Sequence, residues 1–296
     1  MTLSDPKAPD LRAPGLRARA EALGHSLPPL LAEAERLAQT VTWGEHGRRR
    51  AGRGDDFWQY RAAHPGDEYR AIDWRHSARS DGAYVREKEW QAAQKITLWV
   101  DPAQSMAFSD GGRAPKSDRA RLLALALAVL LLRGGEQVGL AGASHPRAGK
   151  GQMLRLIESL ALDLSQADYG APIPGFAPHG RAVFLSDFLG DLAPLEAALH
   201  TATGQGVRGL LIQVLDPAEE DFPFHGRTLF TSMAGSLSHE TQSAADLRAR
   251  YLARLAERKD RLADLARAAG WQFLSHHTGA PAQTALLWAY RALEAT

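Results

Sequence analysis

The chain of 296 residues has a formal net charge of +1, with 45% apolar and 23% charged residues. That balance excludes wholesale disorder, gives no global electrostatic case for nucleic acid, and allows one or two domains around a large core. No cysteine is present, so disulfides, thiolate metal sites and cysteine nucleophiles are excluded. Residues 1–27 mix acidic residues with Pro and Gly and have no apolar signal-peptide core. The longest apolar run, Leu122–Leu132, is too short to span a bilayer. A soluble, cytoplasmic protein is the expectation.

In chain order, Pro28 and Pro29 precede Leu30, Leu31, Ala34, Leu37 and Ala38 at helical spacing, which predicts a helix over 28–41. Gly44–Arg61 then interleaves glycines with arginines. It reads either as a surface loop with paired guanidiniums or as a nucleic-acid patch built on Arg48–Arg53. Pro65-Gly66-Asp67 is a turn signal, since Pro presets φ, Gly accepts positive φ and Asp can cap the next turn of chain. Asp73-Trp74 stands among Arg70, Arg75 and Arg79, so buried ion pairs are expected at Asp67 and Asp73. Tyr84–Gln94 is expected to lead into the central strand as its edge or hairpin partner.

Lys95–Val100 has strand character and stops at Asp101, the way a buried parallel strand delivers a carboxylate to the rim of an α/β sheet. Ser117 and Asp118 stand ready to cap a helix reaching Arg133, apolar on nearly every face and ended by Gly134-Gly135. Strands are expected at 136–142, 181–185, 207–215 and 271–275, and helices at 152–164, 192–203, 243–269 and 282–293. Residues 144–151 read as a loop and 226–232 as a short extra strand pair. Strands alternating with helices in this way predict a doubly wound, mainly parallel sheet.

The string Gly52-x-Gly54, Phe57, Arg61, Pro65-Gly66-Asp67, Arg70-x-Ile72-Asp73-Trp74, Ala78-Arg79 and Val85-Arg86-Glu87 resembles the signature of domain of unknown function family 58. Leu215–Phe224 resembles the same family, and His64 stands where its members more often carry an aromatic. The resemblance implies an α/β fold of von Willebrand factor A type. It divides the chain into an N-terminal helical segment (1–43), a signature segment packed on the sheet (44–94) and the A-like domain (95–296). It also implies a partner, a MoxR-type AAA+ ATPase, with this chain as adaptor in a chaperone-like or metal-insertion system.

The A-type fold carries a metal-ion-dependent adhesion site, for which Mg²⁺ is the fitting ion. Its first loop, Asp-x-Ser-x-Ser, corresponds here to Asp101-Pro102-Ala103-Gln104-Ser105, and Asp187 fits the third-loop Asp. Ala103 replaces one hydroxyl. No Thr lies between Thr97 and Thr201 to supply the second-loop ligand, although Ser144 stands nearby. The set Asp101, Ser105 and Asp187 therefore reads as weak or vestigial, and with Gln104 as a partner-facing rim. Gly149-Lys150 lacks the flanking residues of a phosphate loop, His276-His277 has no companion at zinc-ligand spacing, and no nucleophile elbow occurs. Trp58, Trp74, Trp90 and Trp99 form either a stacking platform or core packing. The reading is a non-enzymatic protein-interaction module. Its alternatives are a nucleic-acid binder through Arg48–Arg53 and an Asp101-dependent metal hydrolase.

Overall fold

The computed structural model describes residues 31–41, 48–52, 56–79, 82–161, 165–173 and 175–295, with the side chains at 48–52, 56–59, 86–92, 150 and 295 left undescribed. The first helix, α1, covers residues 31–39 and buries Ala34 and Ala38. A three-stranded antiparallel sheet follows in the order β1 (Arg48–Gly52), β3 (Tyr84–Ala92), β2 (Asp56–Ala62), with the short α2 (Trp74–Ser77) between β2 and β3. The expected pairing of Tyr84–Gln94 with the central strand does not occur, because β3 is the middle strand of this separate sheet. Its run of charges, Arg86 to Glu89, suits no strand covered by helices on both faces.

The main sheet has six strands in the order β11-β8-β7-β4-β5-β6. These are β4 (Lys95–Val100), β5 (Gln137–Leu140), β6 (Ser144–Arg147), β7 (Arg181–Ser186), β8 (Arg208–Leu215) and β11 (Gln272–His277). All neighbours are parallel except β5 and β6. β6 occupies part of the expected loop; Ser-His-Pro-Arg has little strand propensity, and its antiparallel pairing with β5 makes it a strand. The pair lies so close that a Cβ on Gly139 would come 2.5 Å from the backbone of β6, leaving room only for glycine.

Helices cover both faces. On one side α1, α3 (Lys116–Arg133), α4 (Lys150–Leu160) and α8 (Ala282–Ala295) pack on Ile96, Leu98, Val183, Leu185 and Ile212. On the other, α5 (Ala193–Gly204) and α7 (Ala244–Ala268) pack on Trp99, Phe184 and Leu211. The apolar run of α3 is buried from Leu122 to Leu131, which is why no polar face interrupts it. Truncating one of its leucines to Ala costs roughly 2–5 kcal/mol. Pro115, rather than Ser117 or Asp118, is its N-cap, and Gly134 its C-cap. A five-residue helix, α6 (Pro217–Asp221), follows β8, and a hairpin of β9 (Thr228–Thr231) and β10 (Ser238–Thr241) follows α6.

From β4 the chain runs through α3 to β5, then returns past β4 to β7 on its other side. The carboxyl ends of β4 and β7 therefore meet at the switch point of the sheet. Asp101 and Asp187 are the first residues beyond those two ends.

Candidate functional site: the carboxyl edge of the central sheet

Asp101, Ser105 and Asp187 gather at this edge, and all three are buried, Asp101 at 2% and Asp187 at 1% exposure. Asp101 accepts from the Ala103 N–H at 2.8 Å and from the Ser186 hydroxyl at 2.5 Å. Asp187 accepts from the Leu189 N–H at 3.0 Å, and its carbonyl accepts from the Gln213 amide at 2.9 Å. The residue that sequence reasoning missed is Lys116. Its ammonium, wholly buried, donates to Asp187 Oδ2 at 2.8 Å and to Glu219 Oε1 at 2.7 Å. The other oxygen of Glu219 accepts from the Asp216 N–H at 2.9 Å, closing a capping box at the start of α6.

This arrangement sets the electrostatics. Burial pushes the Asp101 carboxyl up to about 6, against the hydrogen bonds from Ser186 and Ala103. Burial also raises Glu219, with Lys116 opposing. At Lys116 desolvation acts against the charged form, but Asp187 and Glu219 outweigh it, so the ammonium is held protonated more firmly than a free lysine.

As ligands for Mg²⁺ these residues do not fit. Each carboxylate oxygen of Asp101, Asp187 and Glu219 already accepts from a donor of the chain. Ser144, the candidate second-loop hydroxyl, accepts from the Leu140 N–H at 3.1 Å. Of Asp101, Ser105 and Asp187, Ser105 alone has a side-chain oxygen buried without a partner. Among the described residues, no group of three His, Asp or Glu side chains is placed to hold a metal ion.

The edge is also not the open partner-facing surface that Asp101, Gln104, Ser105 and Asp187 led us to expect. Residues 165–170 lie across it as a strap. Ala167 and Asp168 carbonyls accept from the Gln104 and Ser105 N–H groups, both at 2.9 Å, and the Gln104 side chain donates to the Ser165 carbonyl at 2.9 Å. Gly170 presses so closely that a Cβ there would sit 1.9 Å from Asp101 Oδ1. The Asp168 carboxylate clasps the hairpin, accepting from Ser232 Oγ at 2.9 Å, from the Ala234 N–H at 2.7 Å and from Ser236. What remains beside Asp101 is a cavity of about 10 Å³, room for about one water, between Tyr169, Ser186 and Phe188. His276, near the carboxyl end of β11, is buried against Arg119 of the first turn of α3 at 2.9 Å. Burial and that guanidinium depress it to about 4, which makes it a neutral acceptor.

The signature segment is arranged in the opposite way. Asp67 takes a two-pronged contact from Arg61, at 2.7 and 2.8 Å, and the His64 N–H at 2.7 Å, which hold its carboxyl well below the usual range. Gly66, at φ 112°, makes the turn that brings them together. Among the described residues, Asp73 forms no buried ion pair. It caps α2 through the Arg75 and His76 N–H groups and accepts from the Tyr60 hydroxyl at 3.2 Å. Arg70 pairs with the exposed Glu68, and Arg75 and Arg79 are exposed. Tyr69 and Trp74 are exposed to 81% and 58%, whereas Trp99 is buried in the core. Gly54 and Arg53 lie outside the described residues, as do the side chains of Phe57, Trp58, Arg86, Trp90 and the rest of the Arg48–Arg53 cluster; Gly52 ends β1.

Among curated proteins, the chain is 26% identical over 255 residues to uncharacterized proteins Mb1516 of Mycobacterium bovis and Rv1480 of Mycobacterium tuberculosis, covering 80% of this chain and 79% of each relative. Among solved structures it overlaps an aerotolerance-related membrane protein from Bacteroides fragilis (14% identity, TM-score 0.43) and the conserved hypothetical protein BatB from Bacteroides thetaiotaomicron (13%, TM-score 0.40). Each overlap spans 68% of this chain and 98% of the other, and at these scores carries no functional weight. No described helix is long and apolar enough to cross a membrane. The family model described as "Protein of unknown function DUF58" matches residues 59–261, well over half of the sequence and inclusive of most of the signature, and the chain belongs to that family.

Proposed function

We propose that this protein is a non-enzymatic interaction module that docks a protein partner on the signature segment rather than on the sheet edge. The observation that carries the reading is the exposure of Tyr69 and Trp74 on two successive short helical turns beside Arg70, Arg75 and Arg79. Large aromatics with arginines are the side chains that dominate binding energy at protein interfaces. The arginines favour a partner surface rich in Asp and Glu. Carboxylates that could serve a hydrolase are instead spent on internal donors, which supports a binding role over catalysis.

The finer reading takes the fold as von Willebrand factor A type, supported by carboxylates at the switch point of a six-stranded sheet. It takes the partner as a MoxR-type AAA+ ATPase, as the signature resemblance implies. The test is binding of the purified protein to that ATPase by calorimetry. The variant Tyr69→Ala with Trp74→Ala is expected to weaken binding at least tenfold with an unchanged melting curve, while Asp101→Asn binds as wild type. Wild-type affinity in the aromatic double variant rejects the signature surface. Binding of single-stranded nucleic acid through the same aromatics, falling steeply with salt, would replace the protein partner with a nucleic acid.

A further inference from the structure

The pattern at the sheet edge has a positive meaning beyond the failure of a metal set. A lysine is an unfavourable residue for the first turn of a helix, where the backbone dipole already presents positive charge. Lys116 occupies that position in α3 and is wholly buried, which adds a desolvation cost. It is held there by carboxylates from two other elements, Asp187 beyond β7 and Glu219 in α6, with the Phe108 ring 5.7 Å from the ammonium. Asp101, at the end of β4, lies within the same field.

We propose that the Lys116 ammonium is a built-in cation that takes the place of a divalent metal at the carboxyl edge of the sheet. It joins the start of α3, the end of β7 and α6 at one point, as a bridging ion would, without exchange with solvent. The edge then keeps its shape at any concentration of Mg²⁺ or chelator. The surrounding oxygens are satisfied by one another's donors rather than by a hydration shell.

The test uses the full chain. Calorimetric titration of the wild type with Mn²⁺ is expected to give no saturable heat, and melts in Mg²⁺ and in EDTA are expected to superimpose. Lys116→Ala is expected to lower Tm by roughly 10 °C, since the buried Asp187 and the partly buried Glu219 lose their counter-charge. In that variant Mn²⁺ is expected to recover part of the loss by entering between Asp187 and Glu219. The triple variant Lys116→Met, Asp187→Asn, Glu219→Gln is expected to melt above Lys116→Ala and to ignore Mn²⁺. Saturable Mn²⁺ binding by the wild type that Asp187→Asn abolishes would overturn the proposal. So would a Lys116→Ala variant whose melt is unchanged, or one that is destabilised but indifferent to Mn²⁺. Should Lys116→Ala not yield folded protein, the wild-type titration and the triple variant decide the matter.

Discussion

The sheet edge and the signature segment are both rich in charge, and they use it in opposite ways. At the edge, carboxylates and an ammonium are withdrawn from water and satisfy one another, so the charges serve the fold. In the signature segment the charged pairs lie in or near solvent, where each is worth little, yet they set the turn that leaves Tyr69 and Trp74 outside. Burial thus separates the two regions better than residue type does. A carboxylate at a strand end looks like a ligand until its neighbours are counted, whereas an exposed tryptophan is informative by itself.

Four substitutions would break or sharpen this contrast. The largest effect is expected from Asp187→Ala, which strands the buried ammonium of Lys116 with half its counter-charge. Chemical denaturation should show a loss of roughly 3–5 kcal/mol. A loss below about 1 kcal/mol, the range of exposed pairs, would erase the distinction between the two regions.

Next comes Asp101. Its carboxyl is raised in the folded state to about 6, from an ordinary 3.8, so the folded protein takes up this proton before the unfolded chain does. Its contribution is therefore favourable below the unfolded value and is lost as pH rises through the folded value. Between pH 3 and pH 7 this costs about 3 kcal/mol, and Asp101→Asn should remove that part of the slope and be more stable at neutral pH. Parallel pH–stability curves for the two proteins would contradict the burial of Asp101.

Gly170→Ala ranks third. The added methyl meets the Asp101 carboxylate, so the strap must lift, at a cost of roughly 1–3 kcal/mol. Hydrogen exchange at the Gln104 and Ser105 amides, which donate to the strap, should accelerate, and unchanged protection would mean that the strap gives way elsewhere. The smallest effect on stability is expected from Tyr69→Ala, within about 0.5 kcal/mol by thermal melt, as for any exposed side chain without structural partners. A larger loss would place Tyr69 in the fold rather than at a docking surface.

Much of the central sheet was legible in the sequence, because strands covered on both faces read as unbroken apolar runs; β7 and β8 are the clearest. The apolar run Leu122–Leu132 of α3 announced its place against the sheet centre in the same way. What could not be read were features decided by a distant partner. β6 is a strand through its pairing with β5, and β3 pairs away from the central sheet with strands on either side of it in the small one. The acids at Asp101 and Asp187 stood out by position, but their burial depends on residues 165–170, which carry no strong local pattern. Glu219 was available as the last member of an Asp-Pro-Ala-Glu capping box. Lys116 left a fainter trace, one of three cations, with Arg119 and Arg121, at the start of a helix that is apolar from Leu122 to Leu132. Such a residue demands a carboxylate somewhere, though sequence does not say which.

The reversed strand β6 has a further consequence for how copies of this chain meet. A parallel sheet that ended on β5 would offer a ready template for another strand, and so for runaway association in a crowded solution. β6 closes that side with a strand of four residues, and Pro146 within it has no N–H to donate to a newcomer. On this flank the protein is guarded against templated aggregation by a residue that contributes almost nothing to its core.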